Sequence, residues 1–290
     1  MKIIITADLH YNISRSREGV ERLASRACRQ GGDALVLLGD TAGEDLEPFA
    51  HCLALFAEFP GRKFLVPGNH CLWTTPDGPD SLERYHEVIP AVAAEAGFTV
   101  LDHEPTILNG TGLVGSIGWY DYSMRDESLG IPLPFYLAKA SPGAAEYYGM
   151  DELIADHREV LTDRHMRMGV RWRDGRRVRL GMSDEEFTAR CDARLAEQLK
   201  ALAPRCEHIV AMMHHLPFRE LVPQHRPDRF AFAAAYLGAE RLGQTLLDCP
   251  KVSHVYCGHS HWPARERIGH IEAVNVGSTY KEKYLEVLTC

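Results

Sequence analysis

The chain has 290 residues, with 40 acidic side chains against 32 basic ones and a formal charge of −8. Apolar residues make up 45% and charged residues 25%, which excludes an intrinsically disordered chain. The acidic balance gives no global attraction to nucleic acid or to an anionic membrane, and no apolar run approaches the roughly 18 residues of a membrane span. A chain this long buries about three quarters of its unfolded-state surface, so a sizeable core is expected. Cysteines at 28, 52, 71, 191, 206, 249, 257 and 290 form no C-x-x-C pair, so neither a zinc knuckle nor a thioredoxin-type couple is indicated. The opening residues lack the apolar region and cleavage site of a signal peptide, and a cytoplasmic protein with reduced, mostly buried thiols is expected.

Short apolar runs then alternate with helical periodicity. Lys2–Ala7 reads as a strand, and Ser16–Gln30 places Val20, Leu23, Ala24 and Ala27 on one helical face. Gly31-Gly32 stops that helix before the strand Ala34–Leu38. Helix at Asp45–Phe59, strand at Lys63–Val66 and helix at Pro79–Ala96 repeat the pattern, which predicts a mainly parallel sheet covered on both faces. Phe98–Leu101, Thr106–Leu108 and Leu113–Ile117 are short strands separated by turns, including Asn109-Gly110, and suggest a mixed edge or a second sheet. Ser183–Leu202 is a helix opened by a Ser183/Glu186 capping box. Strands follow at His208–Met213 and Val252–Cys257, with a helix near Gly238–Leu247 between them. Ala264–Ile268 and Ile271–Val276 read as a hairpin about Gly269-His270.

Residues from about 119 to 182 are the least regular stretch and read as an insertion or cap on a single domain spanning 1–290. Within it, Asp174-Gly175 predicts a hairpin over Met168–Leu180 that pairs Val170 with Val178 and Met168 with Leu180. That register puts Trp172 on the apolar face and Arg171, Arg173, Arg177 and Arg179 on the other. Seven arginines stand against one aspartate between positions 164 and 179. The plain reading is a solvated face; the sharper one is a flap facing phosphate, which suits guanidinium geometry.

The chemistry sits at strand ends. Five apolar runs end in Asp8-Leu9-His10, Gly39-Asp40, Gly68-Asn69-His70, His214-His215 and Gly258-His259-Ser260-His261. In open α/β sheets the carboxyl ends of strands form the ligand crevice, so one rim receives all of these side chains. Imidazole and carboxylate together suit Zn, Mn or Fe ions. Such a set is too large for one tetrahedral ion, which takes about four ligands, and fits two ions sharing a carboxylate. Two ions roughly 3.5–4 Å apart clamp both oxygens of an in-line displacement. Each fragment alone has an ordinary structural explanation, such as a turn, a cap or a surface histidine. The ordered set does not.

In that order the motifs D-x-H, G-D, G-N-H, H and G-H-x-H resemble the calcineurin-like metallophosphoesterases, from the first strand to Val274–Ser278 and excluding about 119–182. The resemblance implies a four-layer α/β/β/α sandwich of two mixed sheets with an inserted cap-like segment. It implies a binuclear-metal phosphoester hydrolase, a phosphatase or phosphodiesterase whose nucleophile is a hydroxide bridging two divalent ions (Mn, Fe or Zn). By the same likeness one ion would be held by Asp8, His10, Asp40 and His261, and the other by Asp40, Asn69, His214 and His259. Asp40 bridges. His214 is preferred to His215, which becomes a substrate-side candidate. His70 would stabilise the transition state or protonate the leaving oxygen. Substrate contacts are expected from Asn69, His70, His215 and Tyr11.

One position departs from the family pattern. Where Asp or Glu usually follows G-N-H, this chain has Cys71, and a thiol orients an imidazole poorly. His70 is therefore expected to be neutral near pH 7 or to take a carboxylate from elsewhere. An alternative class stays open: a metal-containing binding or scaffold module whose catalysis is lost or weak. A phosphoester substrate is expected, nucleic acid is less favoured on charge, no membrane partner is expected, and nothing in the sequence selects an oligomeric state. His51, His86, His103, His157, His165, His225 and His254 are read as surface or core residues without a role. Trp119, Tyr120 and Tyr122 either line the rim or pack beneath the insertion.

Overall fold

A computed structural model describes residues 1–224 and 227–290 of the chain, so His225 lies outside the described residues. The first sheet takes β1 (Lys2–Ala7), β2 (Ala34–Leu38), β3 (Arg62–Val66) and β4 (Phe98–Val100) in parallel, and β11 (Glu286–Thr289) closes it antiparallel to β1. The second sheet runs β5 (Thr106–Leu108), β6 (Thr111–Ser116), β7 (His208–Met213), β8 (Val252–Cys257), β10 (Ile271–Asn275) and β9 (Ala264–Ile268), with parallel pairing from β6 to β10 and antiparallel edges. Asn109 and Gly110 both adopt positive φ in the β5–β6 turn, as a tight hairpin requires.

Side-chain alternation along each strand builds the layers. Ile3 and Ile5 of β1, Val36 of β2 and Phe64 of β3 meet Val210 and Met212 of β7 and Val274 of β10 between the sheets. Ile4, Leu35, Leu37 and Leu65 face outward onto α1 (Ser14–Gln30) and α2 (Leu46–Ala54), where Val20, Leu23, Ala27, Phe49 and Leu53 cover them. Ala211, Met213 and Val255 face the other way, onto α4 (Asp184–Leu202) and α5 (Glu240–Leu247). Both sheets are thus sandwiched between helices, the α/β/β/α arrangement expected. Each fully buried aliphatic side chain contributes about 1.5–3 kcal/mol.

The long element predicted over Pro79–Ala96 is interrupted: a wide π turn at Arg84–Val88 precedes α3 (Ile89–Glu95). The wide turn coincides with Arg84 and Tyr85, both buried, which bond to the Cys71 carbonyl at 3.0 Å and to Asp102 at 2.8 Å. Strand β11 was not predicted. It is a short edge strand whose only buried side chain is Leu288, so its pattern carries little signal.

The hairpin predicted at Met168–Leu180 does not form. Asp174–Arg177 is a single helical turn, and Arg171 bridges to Ala140 instead of pairing with its own return strand. The backbone beyond the turn is claimed by another segment: Thr74 donates to the Arg177 carbonyl at 2.8 Å and Ser81 to the Arg179 carbonyl at 3.1 Å. Most of the arginines are likewise used internally. Arg164 pairs with Asp228, Arg177 with Glu44, Arg171 lies over the Tyr148 ring, and Arg179 donates to the Pro76 and Gly78 carbonyls. Trp119, Tyr120 and Tyr122 are buried, and the rings of Trp119 and Tyr120 lie 5.0 and 5.9 Å from His215. Among the described residues no helix is long and apolar enough to cross a membrane.

Candidate metal centre

Parallel strands β1, β2 and β3 and strands β7 and β8 deliver their carboxyl ends to one rim, and main-chain bonds lock the loops together. Asp8 N–H donates to the Gly39 carbonyl, His10 N–H to the Asp40 carbonyl at 2.7 Å, and Gly258 N–H to the His214 carbonyl at 3.1 Å. Asp8, His10, Asp40, His259 and His261 all have positive φ, between 46° and 68°. Such conformations cost of order 1–3 kcal/mol each in non-glycine residues and persist where the surroundings over-determine them. Gly68 is required by close approach, since a Cβ there would run into the Asp40 carboxylate and the His214 ring.

The side chains converge as two groups about Asp40. On one side, His10 Nε2 lies 3.5 Å from Asp40 Oδ2 and 3.2 Å from His261 Nε2, and His261 Nε2 lies 3.8 Å from Asp8 Oδ1. On the other, His214 Nε2 lies 3.5 Å from Asp40 Oδ1 and 3.2 Å from Asn69 Oδ1. Ligand atoms of Asp8, His10 and His261 fall within 4.8 Å of one another, as do those of Asp40, His214 and His259 and those of His10, Asp40 and His70. Backbone carbonyls fix the rings: Leu38 takes His214 Nδ1 at 3.0 Å and Tyr236 takes His259 Nε2 at 3.1 Å, leaving the opposite nitrogens to the cluster.

His215 is held out of these groups. Its Nδ1 meets the Ile117 carbonyl at 2.8 Å, and its Nε2 is buried without a partner while the ring packs 4.2 Å from His259. Tyr11 does not reach the cluster through its hydroxyl, which donates to Glu21 at 3.0 Å.

A sequence-family model of calcineurin-like phosphoesterases matches residues 1–263. The chain belongs to the calcineurin-like phosphoesterase family. No curated protein matches its sequence. Among solved structures, a phosphopantetheinyl hydrolase from Mycobacterium tuberculosis shares the fold at a TM-score of 0.66 and 19% identity, covering 97% of this chain and 90% of that one. A dimetal phosphatase from Danio rerio aligns at a TM-score of 0.53 and 12% identity, covering 99% and 91%.

Electrostatics in this phosphoesterase favour metal in the cluster. Burial pushes the Asp8 carboxyl up to about 7, opposed by the His259 amide and Lys283, and burial together with Asp8 raises Asp40 well above the usual carboxylate range. Burial, with the fields of neighbouring rings, holds His10 and His214 well below ordinary histidine. Neutral imidazoles keep their lone pairs, and Lys283 is a single cation facing two crowded, buried carboxylates. Divalent cations would supply further counter-charge. Donor types and convergence therefore fit the ions that the family uses.

Cys71 does not substitute for a carboxylate. Its thiol is buried in the core and burial pushes it up to about 11. His70 instead stacks on Trp73, with ring centroids 3.7 Å apart, and its nearest paired carboxylate is Asp40 at 3.8 Å. Burial, then the fields of His259, His261 and Arg173, keep His70 well below ordinary histidine.

Sequence reasoning missed four neighbours. Tyr280 lies 4.9 Å from the His10 ring and 4.8 Å from His261. Lys283 Nζ donates to the Asp8 carbonyl at 2.6 Å and supports its strained backbone. Trp73 underlies His70, and Asp174 accepts hydrogen bonds from Asn69. No motif marks any of the four; each is placed by folding.

Proposed function

We propose that this chain hydrolyses phosphoesters with two divalent ions, Mn, Fe or Zn, one held by Asp8, His10, Asp40 and His261 and the other by Asp40, Asn69, His214 and His259. The observation that carries the reading is the position of Asp40, whose two oxygens face His10 and His214 in opposite groups. Bound there, the ions would supply Lewis-acid charge to the phosphoryl oxygens and acidify water at neutral pH.

The chain's own residues do the rest. His70 is the partly exposed residue beside the buried Asp40, where a substrate oxygen can be met, and Asn69 next to it is the further substrate contact proposed. A neutral His70 donates a hydrogen bond from Nε2 to a phosphoryl or leaving oxygen, with the Trp73 ring fixing its plane. Arg173 is exposed, forms no ion pair among the described residues, and its field reaches both His70 and Tyr280. It is the residue of the arginine-rich stretch suited to receive substrate charge. His215, buried behind His259, supports the cluster rather than touching substrate. We place the protein in the cytoplasm, a reading supported by eight cysteines that are all unpaired.

The test is reconstitution of metal-free protein with Mn²⁺, Fe²⁺ or Zn²⁺, followed by metal analysis and a panel of phosphomonoesters and diesters. Two ions per chain with turnover of at least one ester class is the expected result. Two bound ions and no turnover with any of the three metals would overturn the hydrolase reading in favour of a metal-holding binding module.

A further inference from the structure

One side chain of the 119–182 segment enters the ligand cluster from behind. Asp174 is 2% exposed, and four residues donate to its carboxylate. Asn69 Nδ2 lies at 3.0 and 3.1 Å, Trp73 Nε1 at 2.7 Å, Trp172 Nε1 at 2.8 Å and the Tyr120 hydroxyl at 3.2 Å. An ionised carboxylate is acceptor-only, with about four lone-pair sites, so these donors saturate it.

The consequence falls on Asn69. Its side-chain amide is nearly symmetric in shape but not in chemistry, because one end donates and the other accepts. Whichever end meets Asp174 must be the NH₂ group, and the carbonyl oxygen is then forced to the opposite side. There it lies 3.2 Å from His214 Nε2, within the cluster. In the flipped orientation Oδ1 would oppose the carboxylate, and an NH₂ group with no lone pair to give would face the ion.

We infer that Asp174 is a positioning residue for the metal centre, fixing the amide of Asn69 so that its carbonyl oxygen is presented as a ligand. The inference rests on the ligand role proposed for Asn69. It gives the 119–182 segment a part in holding metal although it contributes no ligand of its own, and it explains why the Asp174-Gly175 pair is not spent on a hairpin.

The experiment is calorimetric titration of metal-free protein with Mn²⁺, comparing wild type with Asp174→Asn, Asn69→Ala and Tyr120→Phe. Partners that orient a ligand typically account for about 10–100-fold in metal affinity. Asp174→Asn is expected to weaken one of the two binding events by about that factor and to leave the other within about threefold. Tyr120→Phe removes another bond to the same carboxylate without touching Asn69; it is expected to lower the melting temperature and leave both affinities unchanged. If Asp174→Asn does not fold, Asp174→Ser, which admits water to the same donors, is read in the same way. Wild-type affinity at both sites in the Asp174 variant, or an equal loss in Tyr120→Phe, would overturn the positioning role. Wild-type affinities in Asn69→Ala would instead overturn the ligand assignment beneath it, so the two failures are distinguishable.

Discussion

The strand-borne rim and the 119–182 segment both reach the candidate metal centre, and they are held by different forces. On the rim, position is set by the backbone: parallel ladders aim β1, β2, β3, β7 and β8 at one edge, and main-chain bonds such as His10 to Asp40 fasten the loops. In the segment, position is set by side chains gathered on two carboxylates. Asp174 collects Asn69, Trp73, Trp172 and Tyr120, while Asp184, at the start of α4, collects Trp119 at 2.8 Å, Lys139 at 2.5 Å and Tyr122. Backbone-fixed geometry tolerates changes in neighbouring side chains. Geometry fixed by a buried carboxylate depends on that carboxylate, because without it the donors it collects would be buried unsatisfied.

The largest effect is expected on the rim. Asp40→Asn removes the charge that both ligand groups share, so the variant should lose metal from both sites and about 10³-fold in kcat, roughly 4 kcal/mol of transition-state stabilisation. Metal content by elemental analysis alongside turnover measures it. Two full ions with turnover near wild type would show that the groups on either side of Asp40 are independent, and the shared-carboxylate geometry would lose its meaning.

The two regions also differ in how far the sequence revealed them. Asp8, His10, Asp40, Asn69, His214, His259 and His261 each follow an apolar run, and an apolar run ending in a polar motif is visible in one dimension. Their convergence followed from the rule that parallel strands share a carboxyl edge. At the histidine pair, the Leu38 carbonyl takes Nδ1 of His214, whose Nε2 faces Asp40, while the Ile117 carbonyl takes Nδ1 of His215. In the segment, local chemistry misled. Asp174-Gly175 reads as a turn, but at range a carboxylate between two indoles, a phenol and an amide outweighs turn propensity, and residues more than a hundred positions apart carry no shared pattern. Tyr11 shows the same limit from the other side. Adjacent to His10 in sequence, it spends its hydroxyl on Glu21 of α1.

An intermediate effect is expected at His70, which belongs to the rim by sequence but is oriented by Trp73. With Cys71 packed in the core and burial holding the ring well below ordinary histidine, the proposed role of His70 is a hydrogen bond rather than a fully charged acid. General acid–base groups typically supply about 10²–10⁴-fold; His70→Ala should fall at or below the lower end for an alkyl ester, about 10–100-fold, and cost less for a nitrophenyl ester whose leaving group needs no proton. Both ions should remain. Equal, large losses for the two leaving groups with metal retained would show that His70 acts on the phosphoryl group itself.

The smallest effect, and the one that asks whether the segment touches substrate at all, is expected at Arg173. Arg164 is occupied by Asp228 and Arg177 by Glu44. Arg173 is not, and its field reaches His70. An exposed guanidinium attracts a phosphate in ground and transition states alike, so Arg173→Ala should raise KM about three- to tenfold and change kcat by less than about twofold. Solvent-exposed charges are screened over about 10 Å at 0.1 M salt, so the difference between variant and wild type should shrink as ionic strength rises. Arg164→Ala, equally basic but already paired, is the control and should leave KM unchanged. If the two variants behave alike, the segment acts on the centre only through its buried carboxylate, and the contrast between a rim that does chemistry and a segment that positions it becomes complete.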